Sequence, residues 1–167
     1  IGGKNRQQSA FNALKHLIKT KRISKVLIHD VARPNFSLKL LKAIIRNIKN
    51  FRAVVPKIEI NDAVKQKIDS SLNEYILGKK RENSFLTQTP QAFKFNDLYK
   101  LSIKQKSKIQ DEATLYIQNN LKIKFIKGEN TNNKITFIED IEVTKTFYGI
   151  GFDIHRLTKG KKLFLGG

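Results

Sequence analysis

Residues 27–34 read LIHDVARP: an apolar run that ends in a carboxylate, Asp30, followed three residues later by a guanidinium, Arg33, and then by a proline. A carboxylate at a strand end can ligate a divalent metal, and an arginine can fork onto a phosphate. The two can equally pair with each other across a turn, and spacing alone does not choose. Similar groups recur at other strand ends. Asp62 follows IEIN, Arg81, Thr89 and Gln91 surround TQTPQ, and Lys134 and Thr136 lie in NNKIT. NNKIT precedes a predicted helix start, a place that favours anions. Gly2 and Gly3 either let the backbone approach a base or phosphate closely or make an ordinary tight turn. Together these residues describe a cleft with several phosphate-binding cations and one or two carboxylates.

Such a cleft needs a scaffold. RQQSAFNALKHLIKT places Phe11, Leu14 and Ile18 on one helical face. KVLIHD reads as a buried strand. Ser37 is a helix cap, followed by Leu41, Ile44, Ile45 and Ile48 at helical spacing. RAVVP is a second strand, 57–80 an excursion of small strands, and TQTPQAF a loop. Two helices follow, with Asn96 and Asp111 as N-caps. IKFIKG is a strand, and Thr136 with Glu139 has the capping-box spacing of a last helix. Alternating strands and helices predict an α/β fold: a Rossmann-like, mainly parallel sheet with helices on both faces. Ligands sit at the carboxyl ends of the strands in such sheets.

The 167 residues carry a formal net charge of +19 and no cysteine. No disulfide framework or thiolate metal site is possible, which is compatible with a cytoplasmic location. No apolar run approaches a membrane span. The charge admits a nucleic-acid-binding domain as a rival reading, but the lysines are dispersed and no aromatic stacking pattern accompanies them. A lysine-rich solvated surface suited to phosphate-bearing small ligands is the expectation, with no nucleic-acid partner. The chain opens IGGKNR without methionine, and it reads as a piece of something longer.

The order GG…R..S, HDVARP, TQTPQAF, QDEATL, GENTNNKIT resembles the 2-C-methyl-D-erythritol 4-phosphate cytidylyltransferase family over residues 1–147. The remaining residues, 148–167, carry GFDIHRL and LFLGG. They resemble the first strands of 2-C-methyl-D-erythritol 2,4-cyclodiphosphate synthase, as a truncated β-hairpin that begins a second, α+β domain. In tandem the two parts resemble the bifunctional bacterial enzyme of non-mevalonate isoprenoid synthesis.

The resemblance implies a nucleotidyltransferase-type fold and transfer of CMP from CTP to methylerythritol phosphate. It implies that Arg81 and Lys134 are catalytic and position the acceptor phosphate. Asp30 would hold Mg²⁺ near the triphosphate and order substrate hydroxyls. Arg33, Thr89 and Thr136 would line the acceptor pocket, and Gly3 and Ser9 would touch the cytosine. In this reading Asp30 and Arg33 look bare because metal and phosphate supply their partners, so Asp30, Arg33, Arg81 and Lys134 must converge on one hollow. Ala63, Gln110 and Lys4 depart from residues common in the family. The family's N-terminal glycine-rich loop, with its own Arg and Lys, does not occur in this sequence, so the piece alone is expected to fold poorly and to lack transfer activity.

In the tail, Asp153 and His155 alternate onto one face of a strand, where both could reach one metal. The synthase likeness makes them ligands of Zn²⁺ or another divalent ion together with a further histidine that does not occur downstream here. Two ligands fall short of the usual four. Relatives of both parts are homo-oligomers, which sets the expectation for the full-length protein. The rival enzyme reading is another nucleotidyltransferase that charges a sugar phosphate, against which TQTPQ and NNKIT argue.

Overall fold

The computed structural model describes residues 2–19, 23–69, 74–78, 80–105 and 107–142. The tail 148–167, with Asp153 and His155, lies outside them, as does the expected domain boundary.

The first helix, α1 (Arg6–Leu17), begins where the Asn5 side chain accepts the Gln8 N–H. Strand β1 (Lys25–Ile28) leads into the HDVARP turn. Helix α2 (Leu38–Asn47) is capped by Ser37, whose side chain accepts from Leu40 N–H as expected. Its buried row is Leu40, Ile44 and Ile48. Ile45 is exposed, so the inward stripe is a strict i, i+4, i+8 line. Strand β2 (Ala53–Glu59) is followed by the predicted excursion, a two-stranded hairpin of β3 (Lys65–Asp69) and β4 (Glu74–Leu77).

A 3-10 turn at Arg81–Asn83 leads to β5 (Phe85–Thr87) and β6 (Gln91–Lys94). The TQTPQAF segment is therefore mostly strand; only Gln88–Pro90 interrupts it, and the Thr89–Pro90 peptide is cis. Helix α3 (Phe95–Lys104) starts directly from β6 without a side-chain cap, so the cap expected at Asn96 is not formed. Helix α4 (Ala113–Gln118) has Glu112, not Asp111, at its N-cap position; Asp111, one residue earlier, still accepts Thr114 N–H through Oδ1 at 3.0 Å. Strand β7 (Lys124–Lys127) and a short α5 (Glu139–Glu142) complete the described chain. Thr136 and Glu139 do not form the expected capping box. Asp140 instead turns back to accept the N–H groups of Thr136 and Phe137.

The sheet is mixed. β7 pairs parallel with β2 through Val54 to Lys57. Val54 also pairs with Ala92 of β6, and Lys57 with Thr87 of β5, both antiparallel. A strand has two edges, so β5 and β6 must lie one after the other along the edge of β2 opposite β7. They form one returning strand broken at Gln88–Pro90. β6 also pairs antiparallel with β1. Thus β1, β2 and β7 point one way, and the β5–β6 strand points the other. The sequence reading of a mainly parallel sheet holds for those three directions but not for most of the hydrogen-bonded pairs. The reason is local. β5–β6 returns from the hairpin excursion without a crossover helix, and a parallel partner would require one.

Alternate residues of the central strands feed two cores. Ala53 and Phe93 pack with Leu14, Phe95, Leu98, Leu115 and Tyr116. Their neighbours Val54 and Ala92 pack with Leu40, Ile44 and Ile48. Helices α1, α3 and α4 therefore cover one face and α2 the other, as period-two strands demand. No helix among the described residues is long and apolar enough to cross a membrane.

Candidate active site

The site grows from the turn after β1. Arg33 N–H donates to Asp30 O at 2.9 Å and closes the turn. Asp30 N–H donates to Thr89 Oγ1 at 3.0 Å. His29 reaches Arg33 O through Nε2 at 3.1 Å and Thr89 Oγ1 through Nδ1 at 3.2 Å. A carbonyl can only accept, so Nε2 carries the proton. In the neutral ring Nδ1 then accepts from the Thr89 hydroxyl, which is itself the acceptor for Asp30. One chain of hydrogen bonds thus ties the HDVAR turn to the break between β5 and β6.

Asp30 is not bare. Arg6 Nε donates to its Oδ1 at 3.1 Å, and Lys134 Nζ lies 3.7 Å from its Oδ2. The other two donors of the Arg6 fork go to Glu112: Nη1 to Oε1 at 3.0 Å and Nη2 to Oε2 at 2.8 Å. Glu112 is deeply buried, its side chain 3% exposed. Burial works against the Arg6 charge, but the hydrogen bonds and fields of Glu112 and Asp30 outweigh it and hold the guanidinium above its ordinary range.

Lys134 is placed by a loop that grips the same β5–β6 break. Gln88 Nε2 donates to Glu129 O and Asn132 O, while its Oε1 accepts Glu129 N–H. Asn132, wholly buried, donates from Nδ2 to Thr89 O. Ile135 N–H donates to Ala32 O at 2.8 Å and draws the loop onto the HDVAR turn. Arg33 does not pair directly with Asp30. Its Nη1 donates to Asn132 O at 2.8 Å, and its Nε is buried without a partner. Burial pulls the Arg33 guanidinium below its ordinary value, and the field of Asp30 opposes the shift.

The structure therefore brings together Asp30, Arg33, Thr89 and Lys134. Thr136 is exposed beside them, its hydroxyl donating to Lys134 O at 3.3 Å. Arg81 is bonded elsewhere: Nη1 donates to Asn61 O at 3.0 Å and Nε to Glu82 at 3.1 Å. Gly3 and Ser9 bond each other, Gly3 N–H donating to Ser9 Oγ at 2.8 Å. A β-carbon on Gly3 would stand 2.6 Å from Gln8 Cβ and 2.7 Å from the Gln8 carbonyl carbon, so that close turn requires glycine. Arg6, Gln88, Glu112 and Asn132 were not assigned roles from the sequence. Arg6 and Glu112 do stand inside two of the segments that carry the family likeness, GG…R..S and QDEATL.

As a magnesium ligand, Asp30 offers a carboxylate already shared by two cations. Among the described residues no three His, Cys, Asp or Glu side chains gather as a metal site. The geometry fits magnesium only as an ion held mainly by phosphate oxygens and water, with one protein carboxylate, a common arrangement for that metal.

The family model of IspD, 2-C-methyl-D-erythritol 4-phosphate cytidylyltransferase, matches residues 1–148. The chain belongs to the IspD family. Among relatives of this IspD chain is the bifunctional enzyme IspD/IspF of Pelagibacter ubique (strain HTCC1062), 48% identical over 167 residues. That match covers 99% of this chain and 44% of the relative. The bifunctional enzyme of Rhizobium leguminosarum bv. trifolii is 33% identical, with the same two coverages. The chain thus spans less than half the length of these relatives. Among solved structures, the 4-diphosphocytidyl-2C-methyl-D-erythritol synthase of Anaerococcus prevotii superposes with a TM-score of 0.73 at 31% identity, over 85% of this chain and 63% of that one. The bifunctional IspDF of Campylobacter jejuni gives 0.69 at 30% identity, over 84% and 35%. The IspD fold accounts for the mixed, open sheet.

Proposed function

We propose that the protein bearing this chain transfers CMP from CTP to 2-C-methyl-D-erythritol 4-phosphate. A phosphate oxygen of the acceptor attacks the α-phosphorus of CTP. The bond from that phosphorus to the bridging oxygen breaks, and pyrophosphate leaves with the electron pair. Two anions must meet, so the protein's task is chiefly positioning and charge neutralisation. The observation that carries this reading is the grouping of Lys134, Arg33 and Arg6 around Asp30 at the carboxyl end of β1, in a chain of the IspD family.

In this reading Lys134 and Arg81 hold the acceptor phosphate, and Arg33, Thr89 and Thr136 border its pocket. Gly3 and Ser9 lie at the cytosine, where a closely approaching backbone can test a base edge. Magnesium, when bound, draws charge off the triphosphate oxygens. Asp30 is the protein group that would hold it. A cyclodiphosphate synthase follows in the whole protein, where Asp153 and His155 would be two ligands of a zinc or similar ion. The names of the bifunctional relatives support that fusion. A cytoplasmic homo-oligomer is the assembly proposed for the whole protein.

The test is pyrophosphate release by the full-length protein with magnesium and methylerythritol phosphate, comparing CTP, UTP and ATP. Turnover that depends on the acceptor and prefers CTP supports the reading. Equal use of the three nucleotides, or none, overturns it.

A further inference from the structure

We propose that Glu112 is the buried anchor that fixes Arg6 and, through it, the carboxylate of Asp30. Arg6 and Glu112 are then positioning residues, not merely a tie between helices. The inference rests on the transfer reading above for what Asp30 does, and on geometry for how it is held.

A guanidinium has donors on three nitrogens in one rigid plane. Two of the Arg6 nitrogens bind the two oxygens of Glu112, and the third binds Asp30. Fixing the fork on Glu112 therefore fixes where Nε points. Glu112 makes a firm anchor because it stands at the start of α4 with its side chain 3% exposed. Asp30 has less support of its own, since its side chain is 19% exposed and its other oxygen meets only the longer 3.7 Å contact from Lys134. Its backbone is held by Thr89, but that bond leaves rotation of the side chain free. The Arg6 contact is the one that restrains it.

A helix tie and a positioning role predict different couplings. If Glu112 acts through Asp30, replacing it has little left to disturb once the Asp30 carboxylate is gone. In the full-length protein, E112Q keeps the side-chain volume but turns one carboxylate oxygen into an amide donor that faces the fork. E112Q is expected to lower kcat for CMP transfer about tenfold, the usual scale for loss of a group that orients a working ligand. R6K keeps the positive charge but loses the planar fork that binds both Glu112 oxygens and Asp30 at once, and it is expected to fall similarly. In a D30N background the added E112Q change is expected to cost less than about twofold.

The same cycle is read from the dissociation constant of magnesium-CTP by calorimetry, which gives the coupling however slow D30N turnover is. Equal losses from E112Q in both backgrounds overturn the proposal, as does wild-type kcat in R6K. Should E112Q lower the yield of folded protein, R6K, in a side chain about one-third exposed, carries the same test. A wild-type protein that binds CTP but transfers nothing overturns the functional reading, while the binding cycle still reports on the anchor.

Discussion

The backbone N–H of Asp30 donates to the side-chain hydroxyl of Thr89, 59 residues further along the chain, at 3.0 Å. The acid of HDVARP and the threonine of TQTPQ are thereby parts of one hydrogen-bonded turn. Thr89 is 4% exposed, its hydroxyl shared between Asp30 and His29, so the backbone of Asp30 is held by a group with little access to solvent.

Thr89→Val keeps the shape and removes both bonds. It leaves the Asp30 N–H and the His29 Nδ1 without partners, at a cost of about 1–3 kcal/mol for each group that stays dry. We expect a lower urea midpoint and reduced transfer, with Thr89→Ser recovering much of both. A Thr89→Val protein of wild-type stability and activity would falsify the proposed role of this bond.

Gly128 packs directly on the buried Gln88. A β-carbon there would collide with Gln88 Oε1 and lie 3.0 Å from Lys57 O. Gly128→Ala must push Gln88 off Glu129 and Asn132, loosening the loop that presents Lys134. Overpacking of this kind typically costs about 1–3 kcal/mol. Denaturant unfolding measures the loss; an unchanged midpoint would show that Gln88 has room to move.

Asp97 receives a bidentate fork from Arg52 at 2.8 and 2.9 Å. The Arg52 hydrogen bonds and charge, against a smaller opposing effect of burial, hold the Asp97 carboxyl below its ordinary value of 3.8. A depressed folded value stabilises the protein above the unfolded value, and that contribution is lost as pH falls through the folded value. Asp97→Asn is therefore expected to weaken the fold at pH 7, with the gap from wild type closing below pH 3.8. Urea titrations at several pH values check the sign; a gap that widens in acid contradicts it.

Tyr116 stacks on Phe93 with ring centroids 5.2 Å apart, and its hydroxyl is buried without a partner. Burial pushes that phenol well above its usual range. Tyr116→Phe removes a polar atom that gains no bond in the fold. Stability is expected to hold or rise, as thermal unfolding will show, and a loss above about 1 kcal/mol would mean that the hydroxyl is satisfied in solution.

Most elements were legible because their signals are local. Ser37 caps its helix through its own side chain, and Ile44 and Ile48 of the expected stripe are buried, whereas Leu40 takes the inward place expected of Leu41. The pair order of the sheet was not legible, because β5 and β6 find their edge of β2 only after the hairpin has folded back. For the same reason the break at Gln88–Pro90 read as a longer loop.

By itself the sequence determined which chemical groups are available, in what order, and that they belong to an IspD chain. It placed Asp30, Arg33, Thr89, Arg81 and Lys134 at the ends of elements expected to meet, and among these Arg81 is bonded elsewhere, to Asn61 and Glu82. Only the tertiary structure decided how their charges are shared. Arg6 and Glu112 are 106 residues apart, and nothing local records that one would bury its carboxylate against the other's fork and aim the remaining N–H at Asp30. Helix caps and hydrophobic periods are written within a few residues. A buried ion pair depends on which distant segments the folded core brings into contact.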